Sequence, residues 1–521
     1  MRFKNHYNDP VRHKTLLVSI ALAGLTGCAV NPVTGDRELM LVSGEQDIAM
    51  GEQMYLPMQQ TQGGAYDVDP ALTEYVQGVG MKVAAASGIN LPYEFVVLNN
   101  SVPNAWALPG GKIAINRGLL AEMNSEAELA AVLGHEVTHA AARHSAQQQS
   151  RGMLTQGLVV ATTIAASDSG YGDLVAAGAG IAGQLTLTKY GRDAELESDK
   201  YGMRYMSKAG YDPRGAVELQ ETFVRLSEGR DQDWVSGLFA SHPPSQERVN
   251  ANRKRLKNLP AGGTIGKDTY AAAMQRTNSA LPAYEAYDKG RETLGKKEAD
   301  EALALANEAL SLFPEEAHFH ALRGDVRLIN KQYDMAVTNY NRAINRRDDF
   351  FYYHMQRGIA KHELEQDDSA VADLERSLEL LPTGPAHYTL GEIREAQGLT
   401  GKAIEHYKVV AKGGSGEMQK AAYEKLVLLE LAKQPASYIA SACGADTSGQ
   451  VTVQVRNDTP MPVTGVEVRF RYVDASGQTQ DRSQSFSGEL APGKVATAST
   501  GLTAYPSTRC ESAVTRARAS Q

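Results

Sequence analysis

The stretch that decides the fold runs from Glu126 to Arg143 and reads EAELAAVLGHEVTHAAAR. Its many Ala, Glu and Leu residues predict a helix. Residues four apart lie on one helix face, so His135 and His139 can direct their ring nitrogens at one metal ion. Glu136 lies beside that face, where it can take a proton from a catalytic water. The alternative is that these are two surface histidines that bind no metal. This is a weak alternative, because only roughly one or two per cent of chains of this length and histidine content contain H-E-x-x-H by chance.

The third metal ligand has to come from another segment, because a catalytic zinc site keeps three protein ligands and one open position. The stretch from Tyr190 to Asp199 reads YGRDAELESD and offers two carboxylates four residues apart, Glu195 and Asp199. This spacing favours Glu195 as the ligand and Asp199 as the group that orients a ligand histidine through its second ring nitrogen. Glu197 competes with Glu195 but points off that face, and Asp199 could instead be a solvated helix charge. The sequence thus predicts one Zn²⁺ per chain, held by the two histidines and Glu195.

The first 27 residues have the three parts of a secretion signal: a basic start, an apolar run and small residues before Cys28. The apolar run is too short for a membrane span, which needs about 20 residues. Because Leu25-Thr26-Gly27-Cys28 resembles a bacterial lipobox, we expect residues 1–27 to be removed and Cys28 to be lipidated. A plain signal peptide with a chance cysteine is the alternative. Ala29 after the cysteine favours the outer membrane.

A period of 33 or 34 residues marks the second half of the chain. It is visible in Gly290, Gly324, Gly358 and Gly391, each followed twelve residues later by an alanine. Small residues at these places let two antiparallel helices approach closely, which is typical of tetratricopeptide (TPR) repeats. We expect about four repeats over residues 281–433, preceded by a weakly patterned, Gly-bearing linker at 261–280.

The remaining regions differ in their predicted secondary structure. Residues 28–260 mix predicted helices with predicted strands at Tyr93–Leu98 and Lys112–Ile115. Within them, Ala- and Gly-rich stretches at 152–166 and 173–188 predict packed helices. Residues 437–521 alternate short β-rich runs with turn residues, which predicts a small β-sandwich. Its two cysteines, Cys443 and Cys510, predict a disulfide in an oxidising compartment, with two buried free thiols as the alternative.

Several motifs resemble those of the zinc metallopeptidase family that contains the heat-shock protease HtpX and CAAX prenyl protease 1. Besides H-E-x-x-H they are N-P-V-T-G at 31–35, P-N-A-W-A-L-P-G-G at 103–111 and S-H-P-P-S-Q-E-R at 241–248. The likeness covers about residues 31–256. It is greatest to the periplasmic, lipoprotein branch with TPR repeats, that of beta-barrel assembly-enhancing proteases. Gly191 and Ser198 depart from the usual Ser and Ala at their positions, and neither change threatens the metal site.

The resemblance implies an α+β, zincin-like metallopeptidase domain with a sheet edge along a cleft and the metal on its floor. An all-α TPR solenoid and a small all-β sandwich would follow. An extended peptide could bind by adding a strand to the edge. The residues expected to form that edge are Asn104, Ala105, Trp106, Ala107 and Leu108. Trp106 and Leu108 could equally serve core packing.

The resemblance also places His242, Arg192 and Arg248 near the cleft. Pro243 and Pro244 hold His242 in a stiff, extended turn. There it could cover the open metal position, donate to a transition-state oxygen, or be an ordinary hydrogen-bonded loop histidine. We expect Arg192 and Arg248 to support the metal ligands. Arg248 could instead cap its own helix by charge.

The function implied is proteolysis by a metal-activated water, in quality control of misfolded or stalled outer-membrane and periplasmic proteins. The repeats would dock substrates or the barrel assembly machinery of the outer membrane, and the chain would be lipid-anchored in the periplasm. A chaperone-like or scaffold protein with a vestigial or tightly regulated peptidase is the alternative. A membrane-embedded prenyl-type peptidase would need several apolar spans that the sequence lacks. The formal net charge of −8 argues against nucleic acid as a partner.

Overall fold

The computed structural model describes residues 28–151, 190–229, 242–413, 416–446, 448–504 and 510–520. The predicted leader and the two Ala- and Gly-rich stretches at 152–166 and 173–188 lie outside the described residues. In the described part of the chain, no helix combines the length and apolar character needed to cross a bilayer. The chain forms two compact units. Unit 1 runs to Lys331 and includes Thr338–Phe350, while unit 2 contains Gln332–Val337 and the residues from Phe351 onward.

Unit 1 begins with a mixed α and β region. Short polar side chains fix helix starts: the hydroxyls of Ser43 and Ser125 accept hydrogen bonds from backbone amides of the first turns that follow them. The elements of this region, in chain order, are β1 (Cys28–Val30), β2 (Arg37–Leu39), α1 (Gly44–Thr61), α2 (Pro70–Ser87), β3 (Glu94–Leu98), β4 (Ala105–Leu108), β5 (Lys112–Asn116), α3 (Arg117–Glu122), α4 (Glu126–Ala141), α5 (Arg192–Lys208), α6 (Arg214–Gly229) and α7 (Gln246–Leu256).

The central sheet of this region has the strand order β3-β5-β4, with β3 parallel and β4 antiparallel to β5. One face contributes Ala105 and Ile113 to the main core. The other face contributes Trp106 and Leu108 to a smaller core with Met58. Core packing therefore accounts for the side chains of Trp106 and Leu108. Within the described residues β4 pairs on one side only, so its backbone forms a sheet edge.

The structure differs from the predicted linker at 261–280. Most of that range is helical, in α8 (Lys267–Ala273) and the start of α9 (Gln275–Gly295). The backbone amides of Glu126 and Ala127, which begin α4, donate to the carbonyls of Gly266 and Ile265. Tyr270 is buried, and its hydroxyl donates to the Leu120 carbonyl over 2.6 Å. The segment thus caps the helix that carries the histidine pair.

The structure also does not begin a separate repeat domain at residue 281, where the sequence predicted one. Helices α9, α10 (Ala299–Leu312) and α11 (Ala317–Ile329) belong to unit 1. Tyr284 and Phe319 lie in the same core as Tyr66 and the sheet. The Glu316 carboxylate is buried and accepts hydrogen bonds from Tyr284 and Asn99. The first repeat helices therefore complete the core of the mixed α and β region.

The repeats continue as helix pairs. Residues 338–344 of α12 (Tyr333–Ile344) belong to unit 1, and unit 2 contains α13 (Phe351–His362), α14 (Asp367–Leu380), α15 (Gly384–Ala396), α16 (Thr400–Gly413) and α17 (Gly416–Glu430). The periodic glycines make room for large side chains. A Cβ at Gly358 would lie 2.7 Å from the Leu374 side chain, and one at Gly391 would lie 2.6 Å from Tyr407. Helix pairs at this spacing are consistent with a TPR-like helical solenoid.

Unit 2 ends in two three-stranded antiparallel sheets, in the orders β10-β7-β6 and β11-β8-β9. Cys443 on β6 forms a disulfide with Cys510, which directly precedes β11, over a Cα–Cα distance of 5.5 Å. The bond joins the two sheets around a common core that includes Val453 and Phe470. The strands are β6 (Ile439–Ala445), β7 (Gln450–Asn457), β8 (Val463–Val473), β9 (Thr479–Leu490), β10 (Val495–Thr503) and β11 (Glu511–Ala519).

Candidate metal centre

Two glycines let helices α4 and α5 cross closely enough to bring their polar side chains together. A Cβ at Gly134 would lie 2.9 Å from the Gly202 carbonyl oxygen, and one at Gly202 would lie 2.8 Å from the His135 amide nitrogen. Contacts this short exclude any larger residue without a backbone shift. Every residue of α4 is buried. The side chains of His135, Glu136 and His139 are therefore enclosed within the protein.

Four side chains converge where these helices meet. One ring nitrogen or carboxylate oxygen from each of His135, His139, Glu195 and His242 lies within 4.8 Å of the others, and all four residues are buried. His135 Nε2 is 3.0 Å from His139 Nε2 and 3.3 Å from His242 Nδ1. Glu195 Oε1 is 2.9 Å from His242 Nδ1 and 3.3 Å from His139 Nε2.

These separations suit a tetrahedral metal site. Ligand atoms about 2.0–2.1 Å from a zinc ion lie roughly 3.3 Å from one another at tetrahedral angles. The ring nitrogens of His135 and His139 provide a second test. The second nitrogen of each ring has a partner of its own, Asp199 Oδ1 for His135 and His144 Nδ1 for His139, and both Nε2 atoms are directed at the same point. The donor set can therefore hold a metal ion.

Asp199 and Arg248 support this arrangement from behind His135. His135 Nδ1 lies 3.0 Å from Asp199 Oδ1, and Arg248 donates to both oxygens of that carboxylate over 2.7 and 2.8 Å. Arg248 Nη1 is also 2.8 Å from Glu195 Oε2. Burial raises the pKa of Asp199, but Arg248 and His135 outweigh it and hold that pKa below its ordinary value. One guanidinium thus contacts two buried carboxylates and keeps that of Asp199 ionised.

Glu136 lies beside the four donors. It is buried, its Oε1 is 3.7 Å from His242 Nε2, and its Oε2 has no hydrogen-bond partner in the described part of the structure. Burial raises the pKa of its carboxyl group, while His242 and His135 oppose the shift. A carboxylate with a raised pKa and one unpaired oxygen is suited to accept a proton and return it.

Arg192, which we expected beside the ligands, lies elsewhere. Its side chain is 68% exposed and pairs with Glu247 across the starts of α5 and α7. Residue 192 begins α5, one turn before Glu195, so its long side chain reaches solvent. The interpretation of Arg192 as a supporting residue is therefore wrong. The interpretation of Asp199 as a solvated charge is also wrong, because Asp199 is 5% exposed.

Sequence reasoning missed two residues next to His139. His144 Nδ1 lies 2.8 Å from His139 Nδ1. The Tyr190 ring stacks on the His139 ring, with their centroids 4.0 Å apart. His144 follows His139 by five residues, so the sequence did offer a histidine close to the H-E-x-x-H segment. In a regular helix, however, residues five apart point in different directions, and the contact with His139 could not be expected.

The comparisons with known proteins agree with this geometry. The model of peptidase family M48 matches residues 70–256, which run from the start of α2 to the end of α7 and include all four donors. Metalloprotease YcaL of Escherichia coli K12 is 33% identical over 190 residues, which are 34% of this chain and 68% of that protein. Mitochondrial metalloendopeptidase OMA1 of Schizosaccharomyces pombe is 36% identical over 187 residues, which are 34% of this chain and 51% of that protein.

A third relative extends further along the chain. The beta-barrel assembly-enhancing protease of Escherichia coli K12 is 26% identical over 302 residues, which are 55% of this chain and 60% of that protein. The chain therefore spans less than two thirds of the length of this relative.

Proposed function

The chain belongs to peptidase family M48, and we propose that it is a zinc endopeptidase with His135, His139 and Glu195 as metal ligands. The observation that carries the proposal is the buried donor cluster with the unpaired oxygen of Glu136 beside it. Three ring nitrogens and one carboxylate oxygen are donors that zinc prefers. When bound, zinc would polarise the scissile carbonyl and lower the pKa of a water molecule.

In this proposal the chain supplies the proton transfers. Glu136 takes a proton from the attacking water and passes it to the leaving amine. Asp199 accepts the Nδ1 proton of His135, which fixes the tautomer that presents Nε2 to the metal. Arg248 holds Asp199 and Glu195 in place and compensates their charge.

We further propose that substrates bind as an added strand along β4. Ala105 on that strand lines a cavity whose lining also includes His135 and Glu136. A peptide paired with the β4 backbone would therefore pass the cluster. Part of the cavity lining is apolar and includes Leu119, Val132, Leu219 and Phe223. Such a lining favours an apolar substrate side chain.

We propose that His242 holds the enzyme in a closed state. Its Nδ1 occupies a fourth donor position at ligand-like distances from Glu195 and His135. Structural zinc sites have four protein ligands, whereas catalytic sites leave one position open. The closed geometry favours the role of a cover over that of a transition-state donor. Substrate entry would then require His242 to withdraw.

The cellular role we propose is quality control of outer-membrane and periplasmic proteins, with lipidated Cys28 as the anchor. Its supports are the likeness to a relative named beta-barrel assembly-enhancing protease, the lipobox-like sequence and the repeats. The repeats would dock misassembled envelope proteins or the assembly machinery. The Cys443–Cys510 disulfide suits an oxidising compartment such as the periplasm.

The experiment that tests the peptidase compares Glu136→Gln with Glu128→Gln. Both residues are buried on α4, and Glu128 lies two turns before the donor cluster. Glu136→Gln should keep bound zinc and lose about 10²–10⁴-fold in peptide hydrolysis, because it removes the base and no ligand. Glu128→Gln should retain both. Wild-type hydrolysis by Glu136→Gln would refute the mechanism, and the inactive variant can trap substrates in cells.

A further inference from the structure

The segment from Asn31 to Asp47, here called the N-terminal segment, contacts Glu197 and Arg143, which lie near the candidate metal centre. Its N-P-V-T-G motif has no part in the mechanism above. Asn31 is fully buried, and its Nδ2 donates to Glu197 Oε1 over 3.2 Å. The Asn31 Oδ1 accepts the backbone amides of Val33 and Thr34, which fixes the direction of the side-chain amide. A buried asparagine held in this way serves to position Glu197.

Glu197 in turn fixes His144. His144 is buried, and its Nε2 lies 3.3 Å from Glu197 Oε1. A carboxylate accepts and does not donate, so the imidazole carries its proton on Nε2. The Nδ1 of a neutral His144 is then an acceptor. It faces His139 Nδ1 over 2.8 Å, so the proton between the two rings belongs to His139.

This chain of hydrogen bonds determines which nitrogen of His139 is available to a metal. With its proton on Nδ1, His139 presents the lone pair of Nε2, the nitrogen that lies in the donor cluster. Asp199 does the same for His135 through a single carboxylate. The two histidines of the H-E-x-x-H segment are therefore oriented by two separate devices.

A break in the helix brings His144 to this place. Arg143 has a left-handed backbone, with φ of 59°, which is unfavourable for a residue with a Cβ. The N-terminal segment holds it there: Arg143 donates to the Asp47 carboxylate over 2.9 Å and to the Val42 carbonyl over 2.8 Å. The segment thus acts at two points, on Glu197 through Asn31 and on the helix break through Val42 and Asp47.

We propose that the N-terminal segment, through Asn31, Glu197 and His144, is a positioning device that sets the His139 tautomer and with it the metal affinity. The inference rests on the proposed ligand role of His139. It makes His144 and Glu197 positioning residues, which touch neither substrate nor metal. It also gives the N-P-V-T-G motif a role in the site that neither its composition nor its position in the chain reveals.

The test measures zinc affinity by chelator competition in the full chain, carried out in a Glu136→Gln background so that hydrolysis plays no part. His144→Leu removes the acceptor and should weaken zinc binding about 10–100-fold. His144→Gln keeps an acceptor oxygen and should recover most of that loss. Asn31→Ala should weaken zinc binding less than His144→Leu. Asp193→Asn is the matched control, because it removes an exposed carboxylate of the same helix as Glu197.

A second readout uses the metal-free protein, in which ¹⁵N NMR of labelled histidines reports the protonated nitrogen. His139 should carry its proton on Nδ1 in the parent and lose that preference in His144→Leu. If His144→Leu fails to fold, Glu197→Ala provides the same comparison, because Glu197 is only partly buried. Wild-type zinc affinity or an unchanged His139 tautomer in a folded variant would overturn the inference. A parent that binds no zinc yet shows the predicted tautomer shift would instead refute the proposed function.

Discussion

The truncation Phe319→Ala tests whether the first repeat helices are part of the catalytic unit. Phe319 lies on α11, within the range where the sequence predicted an independent repeat domain. Its side chain is fully buried in the core that also contains Tyr66. The ring lies 5.0 Å from the Tyr284 ring in an edge-on contact and 5.3 Å from the Tyr287 ring.

The size of the effect follows from this burial. Removing a buried phenylalanine ring costs about 3–5 kcal/mol in stability, partly because a cavity remains. In a protein whose total stability is about 5–15 kcal/mol, that is a large share. A loss of about 4 kcal/mol lowers the Tm of a unit of this size by roughly 10 °C. Because the core is shared, we expect the catalytic region to unfold at the lower temperature.

The assay is thermal unfolding followed by zinc release and by circular dichroism. Leu374→Ala is the control: Leu374 is fully buried in unit 2, and its truncation costs a similar 2–5 kcal/mol. None of the proposed ligands lies in unit 2, so zinc release in the control should occur at the wild-type temperature. If Phe319→Ala unfolds the repeats while zinc release stays at the wild-type temperature, the repeats and the catalytic region have separate cores and our reasoning fails.

Three further predictions concern single residues. His242→Ala should raise basal peptide hydrolysis if His242 covers the metal, and a lower rate with zinc still bound would favour a donor role instead. Burial, reinforced by Arg347 and opposed by Glu316, lowers the pKa of His318 to about 4. In the unfolded chain, His318 is protonated once the pH falls below about 6.5. In the folded chain it stays neutral down to about pH 4, so the free energy of unfolding of unit 1 should decrease by up to about 3 kcal/mol as the pH falls from 6.5 to 4. In urea titrations at several pH values, His318→Gln should reduce this pH dependence of the free energy of unfolding. An unchanged pH dependence would mean that other groups cause it. Cys28→Ala should release the chain from membranes, whereas unchanged fractionation without lipid label on the parent would exclude the anchor.

The sequence predicted best those features that depend on local spacing. The i, i+4 rule placed His135 and His139 on one face, and the repeat period gave the helix pairs through small residues such as Gly358. The strands at Tyr93–Leu98 and Lys112–Ile115 agree with the observed β3 and β5 within a residue. In each case neighbours in the chain decide the outcome, so one sequence is sufficient evidence.

The features that failed depend on contacts between distant segments. The range 261–280 has the composition of a linker, yet its Gly266 carbonyl accepts an amide at the start of α4. The family resemblance led us to expect Arg192 near the cleft, but the start of α5 faces solvent and the side chain pairs with Glu247. His144 reaches His139 only because Asp47 helps to hold Arg143 in a left-handed conformation. None of these contacts leaves a periodic signal.

The competition between Glu195 and Glu197 shows how tertiary structure resolves an ambiguity of sequence. Two residues apart on a helix, the carboxylates point in different directions. Glu195 Oε1 enters the donor cluster, 3.3 Å from His139 Nε2, whereas Glu197 Oε1 lies 3.3 Å from His144 Nε2. Helix α5 therefore contacts both ring nitrogens of His139. Glu195 lies near Nε2, and Glu197 is connected to Nδ1 through His144. In our proposal, Glu197 is not a ligand but acts on the candidate metal centre through the opposite nitrogen of the same histidine.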